Sequence, residues 1–125
     1  MNFPDNLKYT KEHEWIKLEG DEAIIGITEF AGSELGDIVF VEIETEGESL
    51  GEGDSFGTVE AVKTVSDLFM PVAGKVSAIN PKLADTPEIV NEDPYGEGWL
   101  IKIVVDNADD LNRLMSAEDY RKEIE

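Results

Sequence analysis

The chain has 125 residues, with 10 Lys plus Arg against 29 Asp plus Glu and a formal net charge of −19. Such a polyanion lacks the clustered cations that displace counterions from phosphates, so a nucleic-acid binder is excluded and a ligand of anionic membranes is disfavoured. The absence of cysteine removes disulfide scaffolds, thiolate catalysis and cysteine zinc sites, while a 41% hydrophobic content at this length suits one domain with one core, 1–125.

In chain order, the opening residues show neither the apolar run of a signal peptide nor an Arg-rich amphipathic stretch, which predicts a soluble cytoplasmic protein. β-like runs then recur at 22–28, 38–44, 55–62, 64–70, 75–80 and 99–105, most of them separated by Gly, Pro, Asn or Asp. Alternation, as in Lys75-Val76-Ser77-Ala78-Ile79, gives each run one face to bury and implies half-exposed antiparallel sheets. Thr28 is placed to cap a short helix that Gly36 ends. Residues 80–95 hold three prolines and little periodicity, and read as a long loop. Leu111, Leu114 and Met115, followed by Ser116-x-x-Asp119, predict a helical tail.

Two constellations suggest chemistry and then fail on context. Gly53-Asp54-Ser55-Phe56-Gly57 matches the form of a nucleophile elbow, but a β-like run follows Ser55 where a helix is required, and the one histidine, His13, lies upstream. A hydrolase using Ser55 and His13 would turn over esters until Ser55→Ala, and no turnover is expected. The acidic stretch at 106–110 has Ala108 at a ligand position and lacks the turn glycine of a calcium loop, and a single histidine rules out a two-histidine metal site.

Lys63 stands apart. Cations are scarce, yet this one lies between two β-like runs, where a hairpin tip would hold it clear of the surface. A rigid anchor of that kind suits the attachment of a long mobile arm.

The segments LKYTKEHEWIKLEGDEAIIGIT, LGDIVFVEI, GDSFGTVEAVKTVSDLFMPVAGKVSAIN and NEDPYGEGWLIKI, in this order, resemble the H protein of the glycine cleavage system across essentially the whole chain. Biotin carriers usually flank their lysine with methionines and 2-oxoacid dehydrogenase lipoyl domains usually place Asp before it, whereas here Val62 and Thr64 flank Lys63. The resemblance implies a mainly β fold, a barrel-sandwich hybrid of two small antiparallel sheets with short helices and a C-terminal helix. It implies a non-enzymatic carrier with lipoate in amide linkage on Lys63, Glu14 and Asp67 as contacts of the arm in a surface cleft, and Glu60 as a recognition point for lipoylating enzymes. The partners implied are a pyridoxal-phosphate glycine decarboxylase, an aminomethyltransferase and a dihydrolipoyl dehydrogenase. The alternative on the same scaffold is an octanoyl or lipoyl relay supplying other lipoyl domains.

Overall fold

The structure, a computed structural model, describes residues 1–124. Its elements run β1 (Lys8–Tyr9), β2 (Glu14–Glu19), β3 (Glu22–Ile27), α1 (Glu29–Leu35), β4 (Ile38–Glu42), β5 (Ser49–Leu50), β6 (Ser55–Ala61) and β7 (Val65–Phe69). They continue with β8 (Gly74–Ile79), α2 (Lys82–Asp85), α3 (Ile89–Glu92), β9 (Ile101–Val105), a 3-10 turn (Ala108–Arg113) and α4 (Ala117–Ile124). Among the described residues no helix is long and apolar enough to cross a membrane.

The strands form two antiparallel sheets, one of six in the order β1-β2-β3-β9-β8-β5 and one of three in the order β4-β6-β7. The fold is therefore mainly β, with short helices and a C-terminal helix. Ile16, Ile25, Val76, Ile101 and Ile103 from the large sheet meet Val41, Val59 and Leu68 from the small one in a shared core. Each such side chain contributes roughly 1.5–3 kcal/mol by leaving water, against the entropy of ordering the chain.

A second cluster forms around Tyr9 and Trp15, with Phe3 and Tyr120 packed into it. Tyr120 of α4 stacks on Tyr9 at 4.9 Å between ring centroids and meets Phe3 edge-on at 5.2 Å. The two adjacent residues Trp15 and Ile16 thus enter different clusters, so β2 is covered on both faces where it begins. A strand buried this way loses the polar-apolar alternation that marks strands in a sequence, and periodicity does not pick out β2 for that reason.

The early helix follows its sequence signals. Thr28 Oγ1 accepts from the Ala31 N–H at 3.1 Å as N-cap, and Gly36, at φ 83°, ends α1 in a conformation that a side chain would strain. Two expectations need correction. Residues 80–95 are not a featureless loop, since α2 and α3 each complete one turn there, with Leu83 and Val90 buried against the core. The tail is not one helix either: Tyr9 and Met115 exchange backbone hydrogen bonds of 2.9 Å, which pulls the chain into extended form before the Ser116 hydroxyl caps α4 at the Asp119 N–H.

Trp15 fixes the geometry of this region. Its indole lies against Gly26, its cross-strand partner, and its Nε1–H donates to the Pro94 carbonyl at 3.0 Å, tying the α3 segment to β2. A Cβ at Gly26 would sit 2.6 Å from the indole, closer than packed atoms tolerate. Gly26→Ala is expected to cost about 1–3 kcal/mol through overpacking, read as a lower denaturation midpoint with an unchanged m-value.

Candidate functional site

The hairpin of β6 and β7 turns through Val62 and Lys63, with the Ala61 N–H donating to the Thr64 carbonyl at 2.8 Å. A second bond braces the turn from outside, as the Val62 N–H donates to the Asp37 carbonyl at 3.0 Å, fastening the tip to the strand entry after α1. Lys63 is exposed at this tip, and among the described residues no carboxylate lies within ion-pair distance of its amine. Its aliphatic stem runs toward Gly36, where a Cβ would come 3.9 Å from Lys63 Cδ. The amine therefore stands on a fixed base beside the C-terminal end of α1.

From that end of α1 a groove of about 130 Å³ runs between the helix and β7. Ala31, Glu34 and Leu35 form one wall, Ser66, Asp67 and Leu68 the other, and Glu12, His13 and Glu14 close it. β7 is an edge strand of the small sheet, so its outward backbone groups need partners from elsewhere. One is met by Glu14 of the large sheet, whose Oε2 accepts from the Phe69 N–H at 2.7 Å.

Glu14 is not the surface acid that its sequence context would ordinarily produce. It is 2% exposed, and its Oε1 has no hydrogen-bond partner among the described residues. Burial pushes its pKa up to about 8, with the Phe69 hydrogen bond opposing and the Glu12 charge adding. Near neutrality the carboxyl is thus largely protonated, and a cation brought to Oε1 would supply the missing partner and favour the ionised form. Asp67 lies on the same groove but is exposed, while Glu60 projects from the outer face of the small sheet between Phe40 and Val65. The structure thus places Glu14 and Asp67 on one groove that Glu60 does not line, while Glu60 and Asp67 share the outer face of the small sheet.

His13 performs a task that the sequence does not reveal. It is the one non-glycine residue at positive φ among those described, at 66°, and it is pinned by its N–H to the Thr10 carbonyl at 3.1 Å and by its carbonyl to the Thr28 N–H at 3.0 Å. Its Nδ1 lies 2.8 Å from the Tyr120 hydroxyl, which lies 2.8 Å from Thr28 Oγ1. This chain of contacts links α4, the cap of α1 and the turn that delivers Glu14. Ser55 has no part in it. Its Oγ donates to the Gly57 carbonyl at 3.1 Å from within a strand, and no hydrogen bond joins it to His13, so the elbow motif has neither base nor turn.

An amine on a braced hairpin, next to a groove closed by a buried carboxyl, is the architecture of a carrier domain that presents a tethered group to other proteins. The family model described as glycine cleavage H-protein matches residues 7–125. A glycine cleavage system H protein of Bacteroides fragilis is 64% identical over 121 residues, covering 97% of this chain and 96% of that protein. One of Salinibacter ruber is 58% identical over 120 residues, covering 96% and 97% respectively. The crystal structure of a glycine cleavage system H protein from Mycobacterium marinum superposes with a TM-score of 0.89 at 37% identity, covering 98% of each chain. The chain belongs to the glycine cleavage H-protein family, whose members are the lipoyl carriers of that system and not catalysts.

Proposed function

We propose that residues 1–125 act as a single carrier domain in which Lys63 holds lipoate in amide linkage and shuttles the aminomethyl group of glycine among the glycine cleavage components. The observation that carries this reading is the exposed Lys63 amine at the tip of the β6–β7 hairpin, which has no ion-pair partner among the described residues. The components served are a pyridoxal-phosphate glycine decarboxylase, an aminomethyltransferase and a dihydrolipoyl dehydrogenase, with lipoylating enzymes installing the arm. Lipoate supplies the dithiolane that takes up and releases the one-carbon amine.

The chain's own residues supply the rest. The hairpin fixes the anchor. Ile27, Ala31 and Leu35 give the groove apolar walls that hold water away from a hydrolysable cargo, and Glu14 and Asp67 offer carboxyl oxygens to its ammonium end. The orphaned Glu14 Oε1 fits this role because a positive guest satisfies it and takes the place of its proton. With no cysteine in the sequence, the chain itself cannot form a mixed disulfide with the arm. No observation favours the octanoyl relay over this reading.

The test is the intact mass of the chain purified from its own cells. A lipoyl increment is expected; a biotin increment or an unmodified chain under conditions of active glycine catabolism would refute the proposal. Acylation also removes one cation, so holo-protein, more negative than −19 by one charge, should elute later than apo-protein from an anion exchanger.

A further inference from the structure

β4 does not alternate as a regular strand does. Ile38 is buried, Val39 and Phe40 are both exposed, and Val41 is buried again. The cause is a register shift against β6 between Ile38 and Phe40, a bulge that turns two consecutive side chains outward. Phe40 thereby lies directly opposite Glu60, which lies opposite Val65, so these three form one row across the outer face of the small sheet. The next row away from the tip is Glu42, Thr58 and Asp67.

This face is unusual for the molecule. Phe40 is 50% exposed, Val39 48%, Val62 72% and Val65 61%, so the large exposed apolar side chains concentrate around the Lys63 tip. Around them stand Glu42, Glu60 and Asp67, and Lys63 is the one cation in the hairpin and in β4. An exposed aromatic ringed by polar groups has the anatomy of a binding hot spot, and the bulge fixes the backbone that presents it.

We propose that Phe40 is the apolar anchor for the enzyme that acylates Lys63, seating in an apolar pocket rimmed by Arg or Lys. This rests on the assignment of Lys63 as the attachment residue. To form the amide, that enzyme must bring an acyl-adenylate, made from the acid and ATP, to the deprotonated amine at the tip. There the C–N bond forms as the acyl C–O bond to AMP breaks, and the proton shed by nitrogen leaves to solvent. The row holding Phe40 begins one residue below the turn, so the same approach covers it. Charge complementarity selects a basic rim, because the face offers only carboxylates to pair with it.

The test uses the full chain with a purified lipoate ligase, lipoate and ATP, following acylation by intact mass. Phe40→Ser is expected to lower kcat/KM about 10- to 100-fold through KM, with kcat retained. Val104→Ser, at an exposed apolar position on β9 of the other sheet, should match the parent. The paired change Glu42→Gln and Glu60→Gln should flatten the fall of kcat/KM with ionic strength. Because Phe40 is half exposed, Phe40→Ser should keep its circular dichroism spectrum; if it unfolds, the salt dependence of the Gln pair decides the matter alone.

Wild-type kinetics for folded Phe40→Ser, or an unaltered salt slope for the Gln pair, would overturn the inference. So would normal acylation of Phe40→Ser with slowed reoxidation by dihydrolipoyl dehydrogenase, which would assign the face to another partner, or a concentration-dependent dimer abolished by the substitution. Failure of the parent chain to be acylated at Lys63 would instead strike the underlying assignment, so the two failures are distinguishable.

Discussion

Lys63→Arg is expected to abolish the lipoyl mass increment and all carrier activity while leaving the fold unchanged. Arginine keeps the charge and the length at this exposed tip, and the backbone bonds that hold the turn, Ala61 to Thr64 and Val62 to Asp37, involve no side chain of residue 63. Its delocalised guanidinium stays protonated and offers no lone pair to an activated acyl group. The loss should therefore be complete, with circular dichroism and denaturant midpoint within error of the parent. Surface substitutions away from caps and packing generally change stability by under about 0.5 kcal/mol, so a larger change would mean that Lys63 also supports the hairpin.

Glu14→Gln is expected to remove most of a pH-dependent loss of stability. The ordinary carboxyl value is 4.5 and the folded one about 8, so between these limits the folded protein keeps a proton that the unfolded chain has released. Stability from this group is full below the lower value, falls as pH rises toward the upper one and is flat beyond it. From pH 6 to pH 9 the parent should lose about 3 kcal/mol through Glu14, an order-of-magnitude figure from roughly two pH units of full proton difference. Glu12, His13, Glu34 and Asp67 face the group from the groove, and Lys11, Glu52 and Arg113 from the cavity on its other side. These remain in the variant, so the difference between the two profiles isolates residue 14. Gln retains an oxygen for the Phe69 N–H and cannot ionise. Denaturant unfolding at pH 6, 7.5 and 9 checks this: converging stabilities at low pH and a more stable variant at high pH are expected, whereas parallel profiles would show that Glu14 is ionised throughout.

Legibility in the sequence followed the range of the interactions involved. β3, β4 and β6 to β9 are bounded by turn residues, and α1 by Thr28 and Gly36, all signals within a few residues of the element they define. The hairpin tip was legible in the same local way. β2 was not, because burial on both faces erased the alternation at Trp15 and Ile16, and β1, two residues long, is too short to show any. α2 and α3 are single turns whose stability comes from docking Leu83 and Val90, and no periodicity survives in so short a span.

The site divides along the same line. Lys63 could be singled out by its setting, but the burial of Glu14 depends on a β7 edge 55 residues away, and the His13 turn depends on Tyr120, 107 residues away. The exposure of Phe40 arises from a bulge in its register with β6, which no single-strand pattern encodes. Glu60 shows the converse: its place in the sequence near Lys63 gives no hint that it shares a surface with Phe40 instead of the groove.

Peptide-level mass spectrometry of the holo-protein tests the central claim most directly. The lipoyl group should be found, once per chain, on the peptide containing Lys63 and on no other lysine. An increment carried by Lys11, Lys75 or any other amine, with Lys63 unmodified, would contradict it.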